Sequence, residues 1–200
     1  MQMSEEIVQA ETIRQWVQQA LSGREFARTS RSVLAAGCFD TVIEHQQGIT
    51  LLLKEKLCGP AFSLARPVFE TFVRGLWLSY CATEEDLNRF RRDKVKPTLS
   101  EIITALEILP QFSEGVLSRV KATGFDYMSS YTHGGFQQIV RRIGDDVLEP
   151  QYNDDEQIEI TRSTTSYVLL AGIEIANLAN DLPLAQSILD KTIEYAKRSA

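Results

Sequence analysis

Only two histidines occur in the chain, His45 and His133, so any mechanism that needs an imidazole must use one of them. His133 stands in the string Tyr131-Thr132-His133-Gly134-Gly135. Two glycines after a helix end free backbone N–H groups and permit close approach of a ligand, and there His133 could act as a general base or an anion-binding donor beside Tyr131. The plainer expectation is that Gly134 caps the helix and His133 bonds its last carbonyls. Gln137 and Arg141 lie one turn apart downstream, with Arg142 beside them, and either add a cationic rim to the same pocket or sit in solvent.

A second constellation is Arg66, Glu70 and Arg74, which recur every four residues and form one charged stripe along a helix, with Trp77 close to the same azimuth. If the stripe lines a polar cleft, its arginines can hold phosphate or carboxylate through two parallel hydrogen bonds. In the structural alternative Glu70 bridges its own neighbours and Glu44 or Glu174 supplies a further partner, because buried charges must be paired. Glu174, alone in an apolar run, reads as a paired core carboxylate. Three cysteines without C-x-x-C spacing and two histidines give no metal-ligand pattern, so no metal is expected. The chain also lacks Gly-x-Gly-x-x-Gly, Gly-x-x-x-x-Gly-Lys and Gly-x-Ser-x-Gly, which excludes dinucleotide and P-loop enzymes and leaves no cofactor expected.

The elements that would position these residues are helices throughout, since no period-two alternation competes. The stretch from Arg31 to Cys81 reads as two long helical arms folded about Gly59-Pro60, with Gly59 at positive φ and Pro60 opening the second arm. A mirror point there sets Cys38 level with Cys81, and Glu44 and His45 level with Arg74. Gly37 and Gly48 share one face of the first arm, which suggests close approach of another helix. Around this αα-hairpin we expect a helix from Ser4 to Gly23, one capped by Thr83, and one from the Thr98/Glu101 box to about Leu109. Further helices run from about Gln111 to Gly124, from Asp126 to His133, and from Gln137 to Ile143. Gly144 to Asp155 is an acidic, turn-rich loop. Asp154 or Asp155 then caps a long helix to about Asn180, apolar nearly all round from Tyr167 to Ala179 and therefore interior. In the last helix Leu184, Ile188, Leu189, Ile193 and Tyr195 face inward. The fold class is all-α: an antiparallel helical bundle built on a long central αα-hairpin, with shorter helices across one end, in a single domain over residues 1–200.

With 44% hydrophobic residues in 200, the chain can bury one sizeable core. A formal net charge of -6 argues against a surface that traps nucleic acid as a whole. A local attraction to phosphates by Arg89, Arg91, Arg92, Lys94 and Lys96 stays open, though the cluster also suits a solvated helix end. The odd cysteine count fits a reducing compartment, and no stretch reads as a signal peptide or membrane span, so a soluble, cytoplasmic protein is expected.

The strings Leu64-Ala65-Arg66-Pro67-Val68-Phe69-Glu70 and Ser130-Tyr131-Thr132-His133-Gly134-Gly135 resemble a group of uncharacterised bacterial all-helical proteins related in appearance to the HEPN and abortive-infection superfamily. In HEPN ribonucleases that resemblance would imply an Arg followed four to six residues later by a His, on a face that dimerises. This chain departs from the pattern, since neither His45 nor His133 has an arginine at that spacing. The favoured expectation is thus a non-enzymatic, HEPN-like bundle, a homo-oligomer (dimer), that binds a protein partner or small anionic ligand. Its polar pocket would be formed by Arg66, Glu70, Arg74, Tyr131, His133 and Arg141. One alternative is a degenerate nuclease or nucleotide-directed enzyme with His133 as base and Arg66 or Arg141 steadying a phosphate. Another is a purely structural oligomer whose polar stripe fixes helix register. Convergence of these side chains beside a cleft discriminates among the three.

Overall fold

The computed structural model describes residues 2–94, 97–144 and 147–199. It is all-α: α1 (Met3–Leu21), α2 (Ser30–Lys54), α3 (Cys58–Ser63), α4 (Ala65–Tyr80), α5 (Glu84–Phe90), α6 (Leu99–Glu107), α7 (Val116–Thr132), α8 (Phe136–Val140), α9 (Asp154–Leu178) and α10 (Leu182–Ser199). Among the described residues the β content is one isolated bridge, Ile143 to Leu148. Helix starts follow the expected cap chemistry at Thr83, whose hydroxyl accepts from Asp86 N–H, and at Thr98, which accepts from Glu101 N–H. Two starts are displaced by one or two residues. Gln2, not Ser4, caps α1, its N–H bonded to Glu5, and Asn153, not Asp154 or Asp155, caps α9 through Glu156 N–H.

The hairpin forms, but its pivot lies elsewhere. At the end of α2 Lys56 takes φ 58°, while Leu57 N–H bonds Leu52 C=O at 2.8 Å and Lys56 N–H bonds Leu53 C=O at 3.0 Å. That is the hydrogen-bond pair of a helix C-cap with its left-handed residue at Lys56. Gly59 and Pro60 fall inside α3 instead. The break between α3 and α4 has its own cause: Pro67 has no N–H to offer Ser63 C=O, and that carbonyl accepts from Thr132 Oγ1 at 3.1 Å. Because a side chain in the left-handed region is strained and glycine is not, Lys56→Gly should stabilise the chain by roughly 0.5–1 kcal/mol. Urea melts read this as a higher midpoint at unchanged slope.

The extra turn of α3 shifts the register of the arms. Phe39 lies under Gly75, where a Cβ would stand 2.7 Å from its ring, and Leu64 lies over Gly48. Arg31 donates to Leu78 C=O at 2.8 Å and Ala82 C=O at 2.6 Å. Arg31, not Cys38, is therefore level with Cys81, and the two thiols are offset by about 10 Å along the axis, seven residues at the helical rise. Both are free. The close helix approach belongs to Gly75 on α4; Gly37 is exposed and has no neighbour within 4 Å.

One continuous core runs from Ile7 to Tyr195. The apolar helix α9 is interior as expected and packs against α1, α2, α4 and α10. In α10 the inward stripe is Ala185, Ile188 and Tyr195, spaced for one helical face, so Leu189 and Ile193, about a quarter turn away, are exposed. The segments expected at 111–124 and 126–133 are one helix, α7, which runs through Gly124 without a break. Lys96 of the basic cluster and Asp145 and Asp146 of the acidic loop lie outside the described residues. Among the described residues no helix is long and apolar enough to cross a membrane.

Candidate functional site

The six candidate residues do not form one pocket. Arg66, Glu70 and His133 meet where α4 crosses the end of α7. Arg66 Nε donates to Glu70 Oε1 at 2.8 Å, and its Nη1 donates to Ser129 Oγ at 3.2 Å and to His133 Nε2 at 2.6 Å. Its guanidinium carbon stands 4.6 Å from the centre of the Phe125 ring. A guanidinium only donates, so His133 Nε2 accepts here and the ring proton sits on Nδ1. The ring nitrogen best placed to act as a base is thus engaged by an internal cation. The glycine pair is also accounted for locally. Gly134 takes φ 66°, Gly135 N–H bonds Ser130 C=O at 2.6 Å, and a Cβ at Gly135 would lie 2.5 Å from Ser130 Oγ. Gly134 is a helix cap as the plainer expectation had it, but His133 turns to Arg66 rather than to the last carbonyls.

Tyr131 lies on another face of α7, where Arg141, at the end of α8, meets Tyr127. Arg141 clamps Glu156 of α9 with both terminal nitrogens, Nη1 to Oε2 at 3.0 Å, and Nη2 also donates to Tyr127 Oη at 3.1 Å. Tyr127 and Tyr131 share a hydrogen bond of 3.0 Å. Burial, then the bond to Tyr127, raises the Tyr131 phenol well above its ordinary value, so it stays a neutral donor. Arg74 joins neither group. Its Nε is buried without a hydrogen-bond partner among the described residues, and its charge lies near Cys38, whose thiol burial pushes up to about 11. Among the described residues no three of His, Cys, Asp and Glu gather as a metal site requires.

Glu174 has a partner, but not in the stripe: Tyr80 Oη donates to its Oε2 at 2.6 Å. Burial raises the Glu174 carboxyl above its ordinary 4.5, with the Tyr80 bond working the other way. A carboxyl raised on folding contributes stability that is present below its unfolded pKa and lost as pH rises through the folded one. Glu174→Gln, which keeps an acceptor for Tyr80, should therefore melt above the wild type at pH 8, with the gap closing toward pH 4. A gap that widens on acidification would refute the assignment.

What the sequence did not disclose is a groove of about 520 Å³ between α7 and α9. α7 packs on α3, α4, α6 and α8 and stands away from α9. The floor is Phe69 and Phe72 of α4, and the walls include Val120 and Gly124 of α7 and Ile160 and Tyr167 of α9. Tyr127 and Leu170 remain part-exposed at its lips. Near one end Arg141 links the two walls, bonding Glu156 of α9 and Tyr127 of α7. Among the described residues, the only charged side chains in the lining are Glu156 and Glu159. A second hollow, about 680 Å³, opens between α1, the end of α2 and α9, but it mixes Lys54, Lys56 and Asp154 around an apolar patch, and Lys54 already pairs with Glu11.

The signal for the groove was present in the chain. Val116, Val120, Gly124, Tyr127, Met128 and Tyr131 keep helical spacing straight through Gly124, so one helix with an apolar stripe was the better reading of that segment. Reading the glycine as a stop divided the stripe and hid the wall. No curated protein and no solved structure matches the chain. From Phe39 within α2 to Ser199 at the end of α10, over residues 39–199 and with both walls of the groove included, the chain belongs to the family of unknown function DUF6988.

Proposed function

We propose that this chain is a non-enzymatic binding protein whose ligand is a small apolar molecule held between α7 and α9. The observation that carries this reading is the groove itself, apolar along its floor and with its walls linked near one end by Arg141. Its volume lies in the range of small-molecule sites, roughly 300–1,000 Å³. Gly124 adds support, because its backbone is helical, a Cβ there would meet nothing nearer than Met128 Cε at 3.7 Å, and glycine within a helix costs ~1 kcal/mol relative to alanine. No backbone demand accounts for it, whereas an open wall does.

An anionic ligand at Arg66 or Arg141 has less support, since both guanidiniums are committed to carboxylates of the same chain. The degenerate-nuclease alternative, and with it the HEPN likeness, draws on the contact of Arg66 with His133. Against it, His133 is exposed and outside the groove lining. The three free thiols support the reducing, cytoplasmic setting we assign to the protein.

The test is titration with the neutral fluorophore N-phenyl-1-naphthylamine. Wild type should give saturable enhancement, and Gly124→Leu, which fills the wall while improving helix propensity, should lose at least tenfold in affinity without losing melting temperature. No saturable binding, or equal binding by the variant, overturns the proposal.

A further inference from the structure

The groove's charge pattern identifies the ligand class more narrowly, and the inference rests on the groove reading above. Glu156 and Glu159 are the only charged groups in the lining among the described residues, and they are not equivalent. Glu156 is neutralised by the two-nitrogen clamp of Arg141, which also donates to Tyr127 Oη and Gln151 C=O. Glu159 makes no ion pair among the described residues and is exposed, one turn along α9 from Glu156. The nearest other cation on that helix, Arg162, is bonded through Nε to the buried Glu6 at 2.9 Å and does not line the groove. Among the described residues, the lining therefore offers a ligand one carboxylate outside any ion pair and no cation.

The aromatic lining has the same preference. Phe69, Phe72, Tyr127, Tyr131 and Tyr167 line the groove, and aromatic faces carry the negative electrostatic potential that attracts a cation. An anion would face Glu159 and these rings with nothing to neutralise it. A neutral molecule would be tolerated. A cation gains from both, more so where the apolar walls limit its contact with water. We infer that the groove binds a cationic amphiphile: an aromatic or branched aliphatic body between α7 and α9, with an ammonium group directed to Glu159.

Three near-isosteric probes separate the claims on the full chain: 2-(1-naphthyl)ethylammonium, 2-(1-naphthyl)ethanol and 1-naphthylacetate, each titrated calorimetrically at low ionic strength. The ammonium should bind about tenfold more tightly than the alcohol, and the acetate most weakly. Glu159→Gln should bring the ammonium down to the alcohol's affinity while leaving the alcohol unchanged, and its exposed position gives it no part in the core. Added salt should narrow the gap in wild type. Because the whole chain is acidic, Gly124→Leu is the control: it must abolish the ammonium's binding, and retention would mean the cation sits elsewhere on the surface and sink the inference. Equal affinities for ammonium and alcohol, or a preference that survives Glu159→Gln, overturn the cation assignment while leaving the groove reading in place. If the alcohol and N-phenyl-1-naphthylamine both fail to bind, the groove reading itself falls.

Discussion

Glu6→Ala is expected to lower the melting temperature by about 10 °C, the consequence of losing roughly 3 kcal/mol in a chain of this size. Glu6 has 0% exposure although it sits in the first turn of α1, where acidic residues ordinarily face water. Its Oε2 accepts from Arg162 Nε of α9 at 2.9 Å and its Oε1 from Tyr195 Oη of α10 at 2.8 Å. One carboxylate thus ties together three helices that are far apart in sequence. Truncation leaves a cavity in the core and removes the acceptor of two buried bonds, and removing one partner of a buried ion pair costs ~3–5 kcal/mol. Arg162 keeps 28% exposure and recovers some hydration, which places the expectation at the low end. Glu6→Gln retains one acceptor oxygen and should cost about half as much. A melting temperature within 2 °C of wild type for the alanine variant would show that α1 is only loosely tied to α9 and α10. α1 lies before the residues matched by the family, so this also tests whether the matched segment relies on a helix outside it.

Glu6 also shows where sequence reading ended. Helix periodicity and cap chemistry located nearly every element, because Thr83, Thr98 and the apolar stripe of α9 act within one or two turns. Contacts between distant segments carry no such local mark. An acidic residue near a helix start looks the same whether it interacts with the dipole or meets an arginine 156 residues away. The hairpin was recognisable from its two arms, but its level-by-level register depended on α3, a single short helix that Pro67 separates from α4. An error at the pivot then moved Cys81 from Cys38 to Arg31. The candidate residues followed the same rule. Arg66 with Glu70 was legible as a one-turn pair, Arg66 and His133 were expected in one pocket without any spacing that fixed their direct contact, and the groove depends on how sparsely α7 packs against α9.

Arg66→Ala should cost about 2–3 kcal/mol and Glu70→Gln about 1 kcal/mol, whereas Arg89→Ala should change stability by less than ~0.5 kcal/mol. The two arginines are matched in one respect, since each pairs with a glutamate one turn away on its own helix. They differ in everything beyond it. Arg89 is 48% exposed and Glu85 72%, and the pair joins α5 only to itself. Arg66 is 21% exposed, and its remaining donors and its flat face reach Ser129, His133 and Phe125, all on α7. Alanine there removes the ion pair, two bonds between helices and the cover over an aromatic ring, while Ser129 keeps its own bond to Phe125 C=O. Because α7 is also a wall of the groove, Arg66→Ala should weaken binding of N-phenyl-1-naphthylamine as well, though Arg66 is not part of its lining. Hydrogen exchange locates the effect: protection should fall in α7 before α2 or α9. Uniform loss across all helices, or equal melting temperatures for the Arg66 and Arg89 variants, would mean that the stripe does not hold α7 in place.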